Sequence, residues 1–144
     1  MKVETKLLSN NLFEELNKKK LTALITGASG GVGAALLEYL TSRTPLVCIP
    51  TYYRNKPQVS DFSWIHYNSR DIESTRAMFE EISREYDVLL VIDASGEFFA
   101  SRIQKSSAQD ISGVISTNLV APLILAKNAQ EFMHLGGKIV FMSS

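Results

Sequence analysis

One cysteine in 144 residues, Cys48, excludes an intrachain disulfide and fits a reducing compartment. It lies in the apolar run Leu46-Val47-Cys48-Ile49, the setting of an inert buried thiol rather than a reactive one. His66 and His134 are far apart, and two histidines with one cysteine do not make a metal site. Net charge is zero, with 15 Lys+Arg against 15 Asp+Glu, so no global field recruits nucleic acid or an anionic membrane. Any anion site is therefore local. No continuous apolar signal segment is present near the N-terminus, and the run Val88-Leu89-Leu90-Val91-Ile92 is too short to span a bilayer. Repeats and low-complexity segments are missing as well. The expectation is a soluble, cytoplasmic, single domain that buries roughly two-thirds of its unfolded surface.

The remaining pattern alternates strands and helices. Residues 1–19 read as an N-terminal arm, with a short helix over 9–19 that carries Leu12, Phe13 and Leu16 on one face and Ser9 or Asn10 as cap. From residue 20 the periodicity predicts strands near Leu21–Thr26, Leu46–Ile49, Trp64–Tyr67, Asp87–Ile92 and Lys138–Phe141. Helices are predicted over Val32–Ser42, over Ile72–Tyr86 with Asp71 as cap, and over Ser107–Leu135. The last carries Ile111, Ile115, Leu119, Leu123 and Ala126 in one stripe, is bent by Pro122 and is stopped by Gly136-Gly137. Asn55–Ser63, between strands two and three, is too short for a full amphipathic helix. Strands apolar on both faces and helical crossovers mean an α/β fold, a three-layer doubly wound parallel sheet of Rossmann-like type with strand order 3-2-1-4-5.

Between the first strand and the first helix stands Thr26-Gly27-Ala28-Ser29-Gly30-Gly31-Val32-Gly33. Strand, glycine-rich turn and helix N-terminus in that order form a diphosphate pocket, because backbone N–H groups and the helix dipole both face the anion. Gly27 is expected to permit the turn, Gly31 to let phosphate approach, and Gly33 to let the helix pack near the sheet.

These pieces together resemble the short-chain dehydrogenase/reductase family over about residues 20–144. The turn is similar to its TGxxxGxG motif, and Asp71 to the acid that meets the adenine ring. Asp93-Ala94-Ser95-Gly96 stands where the family carries Asn-Asn-Ala-Gly, with only the end of the motif kept. Asn118, within Ser116–Pro122, resembles the structural and proton-relay asparagine, and Ser144 the catalytic serine. The resemblance implies an oxidoreductase acting on a carbonyl or alcohol, with Thr26, Gly27, Ser29, Gly30, Gly31, Val32, Gly33, Ser95 and Gly96 around the cofactor. The family's catalytic Tyr-x-x-x-Lys is expected about a dozen residues beyond Ser144, so this chain by itself is expected to bind cofactor without turnover. Tyr52–Lys56 spells the same spacing but follows strand two, on the adenosine side.

Arg54 stands about 20 residues past Gly33, and no acid lies between Pro45 and Ser60. An acid there selects NAD through the ribose hydroxyl, whereas Arg pairs with the 2′-phosphate, so NADP is the expected cofactor and NAD the less favoured one. A nucleotide-binding module without catalysis, or an interaction fragment, is the competing reading. An uncovered fifth strand or the long fourth helix would then meet a partner or a second copy.

Overall fold

The computed structural model describes residues 19–58, 61–98 and 101–143, so the predicted N-terminal helix and Ser144 lie outside the described residues. Strand β1 (Lys20–Thr26) leads into helix α1 (Gly31–Arg43), then come β2 (Val47–Tyr52), β3 (Ile65–His66), α2 (Ile72–Ser83) and β4 (Tyr86–Asp93). After a short 3₁₀ turn at Ile103–Lys105 the chain forms α3 (Ala108–Ile115), a π-helical turn over Ser116–Val120, α4 (Ala121–Phe132) and β5 (Met133–Phe141). The five strands are parallel in the order β3-β2-β1-β4-β5. This is the doubly wound sheet that the alternating pattern predicts.

The central strands bury both faces, so they read as apolar runs rather than alternating ones. On one face Leu24, Val88 and Val91 pack with Phe79 and Ile82 of α2 and Leu125 and Ala129 of α4. On the other, Ala23, Ile25, Cys48 and Ile92 pack with Ala28 of the turn after β1 and Leu37 of α1. Each fully buried Leu, Ile, Val or Phe contributes about 1.5–3 kcal/mol of transfer energy, which makes this two-sided core the main source of stability. Pro50, fully buried in β2, has no N–H to give, and pairing of β2 with β3 begins only at Thr51.

Two features of the long helix differ from expectation. It ends at Phe132, short of Leu135, and Gly136-Gly137 lies within β5 instead of stopping the helix. There the register jumps from Val88↔Met133 to Leu90↔Lys138, so the extra residues bulge out, and Gly136 takes φ +87°. His134 accordingly sits in β5 rather than in the last helical turn. The second difference is the π turn: Ala121 N–H reaches back to the Ser116 carbonyl, and Pro122 enters α4 in its first turn, where its missing N–H costs nothing. The extra residue rotates the helix by roughly 100°. Thr117, Ala121, Leu125, Asn128 and Ala129 face inward, while Ile115, Leu119 and Leu123 of the expected stripe are 50%, 58% and 64% exposed. By length and hydropathy Ala108–Phe132 is apolar enough to cross a membrane, but its buried face is seated on α2 and the sheet.

Candidate functional site

The turn after β1 is shaped by what cannot be added to it. Gly27 has φ +67°, and a Cβ there would lie 2.7 Å from the Ala94 carbonyl and the Ser95 nitrogen. The turn is therefore pressed against the segment that follows β4. Gly30 N–H closes it onto the Gly27 carbonyl at 3.0 Å. A Cβ on Gly33 would meet the same carbonyl oxygen at 2.3 Å, so the close approach expected between helix and sheet is made to the turn itself. Gly31 has open space around it, with nothing within 4 Å of a Cβ. Helix α1 has no side-chain cap, and the Ala34 N–H bonds the Gly30 carbonyl at 2.8 Å. Helix geometry leaves the amides of Gly31, Val32 and Gly33 without an intrahelical acceptor, facing a region of positive helix-dipole potential.

Two adjoining hollows of about 310 and 240 Å³ open beside this turn, both lined by Ser29, Tyr53, Ser69, Gly96 and Thr117. They form one polar crevice beyond the carboxyl ends of β1–β4, where doubly wound sheets bind ligands. Its floor is fixed by Asp93, which is 4% exposed. One oxygen of this carboxylate, Oδ1, accepts from the Thr26 hydroxyl at 2.5 Å, from the Ser95 N–H at 3.0 Å and from the Ser95 hydroxyl. The end of β1 is thereby clamped to the loop after β4. Nearby, the buried Tyr67 hydroxyl lies 3.2 Å from Thr75 Oγ1. Burial pushes its pKa above the ordinary phenol value; the Thr75 hydrogen bond opposes this, and the Asp93 charge adds to the rise.

The family profile for short chain dehydrogenase matches residues 21–144. The chain belongs to the short chain dehydrogenase family. Elsinochrome reductase 1 of Elsinoe fawcettii is 23% identical over 135 residues, 85% of this chain and 50% of that protein. Aldohexose dehydrogenase of Thermoplasma acidophilum, solved free of ligand, matches at a TM-score of 0.79 and 22% identity, over 88% of this chain and 50% of that one. A blue fluorescent protein from a metagenomic library, solved in complex with NADPH, matches at a TM-score of 0.73 and 24% identity, over 87% of this chain and 56% of that one. The chain spans about half the length of the curated relatives it matches.

Of the residues that family membership nominates, Gly27, Ser29, Gly30, Arg54, Ser95 and Gly96 line the crevice. Gly31 and Val32 are exposed at the α1 N-terminus, and Gly33 is buried against the turn. Thr26 is fully buried with its hydroxyl committed to Asp93, so it is a clamp and not a contact surface. Asp71 does not line the crevice. Its carboxylate caps α2, accepting from the Glu73 and Ser74 amides at 3.2 and 3.3 Å. Asn68, two residues past the end of β3, lines the crevice instead. Asn118, expected to relay a proton, has both ends of its side-chain amide occupied: Oδ1 accepts from the Glu97 N–H and Nδ2 donates to the Glu97 carbonyl, each at 2.8 Å. Its side chain ties the π turn to the loop after β4.

Arg54 lies exposed at the crevice edge, its guanidinium 5.7 Å from the Tyr53 ring centre, while Lys56 lines a different hollow. A second guanidinium, Arg70, pairs with Glu97 and donates from Nε to the Thr117 hydroxyl at 3.0 Å. This pair runs from the end of β3 to the end of β4. The sequence reading missed it, because nothing in spacing links residues 70, 97 and 117. Asn68 was within reach of the strand-end rule, since it stands two residues past the end of β3.

Proposed function

We propose that residues 20–143 hold the dinucleotide of an NADP(H)-dependent oxidoreductase that acts on a carbonyl or alcohol in the cytoplasm. The observation that carries this reading is the uncapped α1 N-terminus at the crevice, with the Arg54 guanidinium exposed at the crevice edge after β2. The residues fit such a ligand. Unsatisfied amides of Gly31, Val32 and Gly33 suit a diphosphate, and the space around Gly31 leaves room for its oxygens. Asn68 and Ser69 offer polar groups to an adenosine, and Arg54 a charged fork to a 2′-phosphate. NADPH in the structural neighbour of the metagenomic library and the reductase name of the Elsinoe relative support the same reading.

When bound, the nicotinamide supplies hydride to a carbonyl carbon. The chain's part is to hold the dinucleotide at the switch point between β1 and β4, which supplies proximity. The Asp93 clamp keeps the loop 94–96 fixed against the turn, so the crevice floor does not have to order when ligand arrives. Ser144, just past the described end of β5, is proposed to meet the substrate oxygen.

Titration of NADPH and NADH against the full chain tests the reading. A charge-assisted Arg–phosphate contact is worth about 1.5–3 kcal/mol, so NADPH is expected to bind roughly tenfold or more tightly than NADH. Arg54→Ala removes that preference and leaves NADH binding unchanged. Equal affinities in the unaltered chain, or an Arg54→Ala protein that still prefers NADPH, would refute it.

A further inference from the structure

Arg70 is held in a way that an ion pair alone does not require. Its Nη2 donates to the Glu97 carboxylate and its Nε to the Thr117 hydroxyl at 3.0 Å, and that hydroxyl donates in turn to Glu97 Oε2 at 3.3 Å. Both guanidinium bonds run in the plane of the group, because the N–H bonds of this fork lie in that plane. Behind it stands Gly113, in the interior of α3. A glycine inside a helix weakens it relative to alanine, so its presence asks for a packing reason. Arg70 is that reason: a Cβ on Gly113 would come 2.8 Å from Nη2, 3.4 Å from Cζ and 3.6 Å from Nη1. Those distances set the Cβ over the face of the guanidinium rather than beyond its edge. The missing side chain is thus a notch that receives one flat face of Arg70, while the residue stays 44% exposed and lines the larger crevice hollow.

We infer that the remaining face of the Arg70 guanidinium is the plane on which the base of the dinucleotide stacks; this rests on the dinucleotide reading proposed above. The two hollows divide the ligand. The smaller one carries Gly27 and Gly30 of the phosphate turn, whereas Arg54, Asn68 and Arg70 line only the larger one. A dinucleotide with its diphosphate at the turn and a ribose substituent at Arg54 lays its base in the larger hollow, beside the end of β3. Bases offer flat π faces, and guanidinium planes stack on them. A guanidinium bonded along its edge to Glu97 and Thr117 has little freedom left to lose, so the stacking plane is preorganised. Arg70 therefore acts on the adenine that NADPH and NADH share, and Arg54 on the phosphate that only NADPH carries.

Titration of the full chain with NADPH, NADH and reduced nicotinamide cytosine dinucleotide, whose smaller ring offers less area to stack, tests this. Arg70→Gln is expected to weaken NADPH and NADH alike, by about fivefold or more, and to change the cytosine dinucleotide much less. Arg70→Lys keeps the charge beside Glu97 but has no plane, so it is expected to lose the same factor, with thermal unfolding showing the fold retained. Gly113→Ala crowds the guanidinium from behind, and is expected to weaken NADH in the unaltered background but not in the Arg70→Gln background. Folded Arg70→Gln and Arg70→Lys proteins that bind NADH as the unaltered chain does would overturn the stacking role and leave the dinucleotide reading in place. So would equal losses for the adenine and cytosine dinucleotides, which mark a general distortion of the crevice. An unaltered chain that binds neither NADPH nor NADH refutes both together.

Discussion

Asp93 offers the sharpest test of how the crevice is built. In Asp93→Ala three donors lose one acceptor: the Thr26 hydroxyl, the Ser95 hydroxyl and the Ser95 amide. The hydroxyls can rotate toward other acceptors, but the Ser95 amide is fixed by the backbone. A hydrogen bond to a charged group is worth about 1.5–3 kcal/mol, and an orphaned buried donor costs about 1–3 kcal/mol. Against this, removing a buried carboxylate recovers desolvation energy of several kcal/mol, part of which the three donors already offset. The net loss is expected to be about 3 kcal/mol, a fall in melting temperature of roughly 10 °C for a domain of this size. Asp93→Asn keeps a carbonyl oxygen at the same place and is expected to lose less than about 1 kcal/mol. Thermal and guanidinium unfolding of both proteins measure this. If Asp93→Asn is as damaging as Asp93→Ala, charge rather than acceptor geometry holds the clamp, and the reasoning fails. If Asp93→Ala melts with the unaltered chain, there is no clamp.

The glycines of the turn separate folding from binding. Gly33→Ala puts a methyl 2.3 Å from the Gly27 carbonyl oxygen and is expected to destabilise by about 1–3 kcal/mol, read by denaturant midpoint. Gly31→Ala meets no atom, so the midpoint should hold while NADPH affinity falls, measured by fluorescence titration. Tyr67 sets an alkaline limit. Its folded pKa is raised, so the unfolded chain loses the proton first; its contribution is complete below the ordinary value of 10.0 and is lost as pH rises above it. Tyr67→Phe should therefore melt at or slightly below the unaltered chain at neutral pH and decline less steeply above pH 10.0. Parallel declines would show that Tyr67 does not titrate against folding.

How much of this was readable in residue order depends on whether the cause is local. The turn after β1, the Asp71 cap and the strand order all follow from short-range chemistry: glycine at a positive φ, a carboxylate in reach of helix amides, apolar runs between helices. The long helix shows where that logic ends. Apolar residues at 111, 115, 119 and 123 count correctly for a continuous α-helix, and Pro122 marks the trouble. What the count does not contain is the helix's choice to absorb the proline with one wide turn, which moves the inward stripe to Thr117, Ala121 and Leu125. The same limit governs the crevice. Strand order says that it lies beyond the carboxyl ends of β1–β4, but Arg70, Glu97 and Thr117 meet only because three separate segments end there. That meeting also makes Arg54 the informative charge. Arg70 is already paired with Glu97, so of the two guanidiniums lining the crevice Arg54 is the one positioned to answer for an incoming phosphate. Arg70→Gln should accordingly leave the NADPH-over-NADH ratio intact while Arg54→Ala abolishes it, and the opposite result would move the selecting charge from the end of β2 to the end of β3.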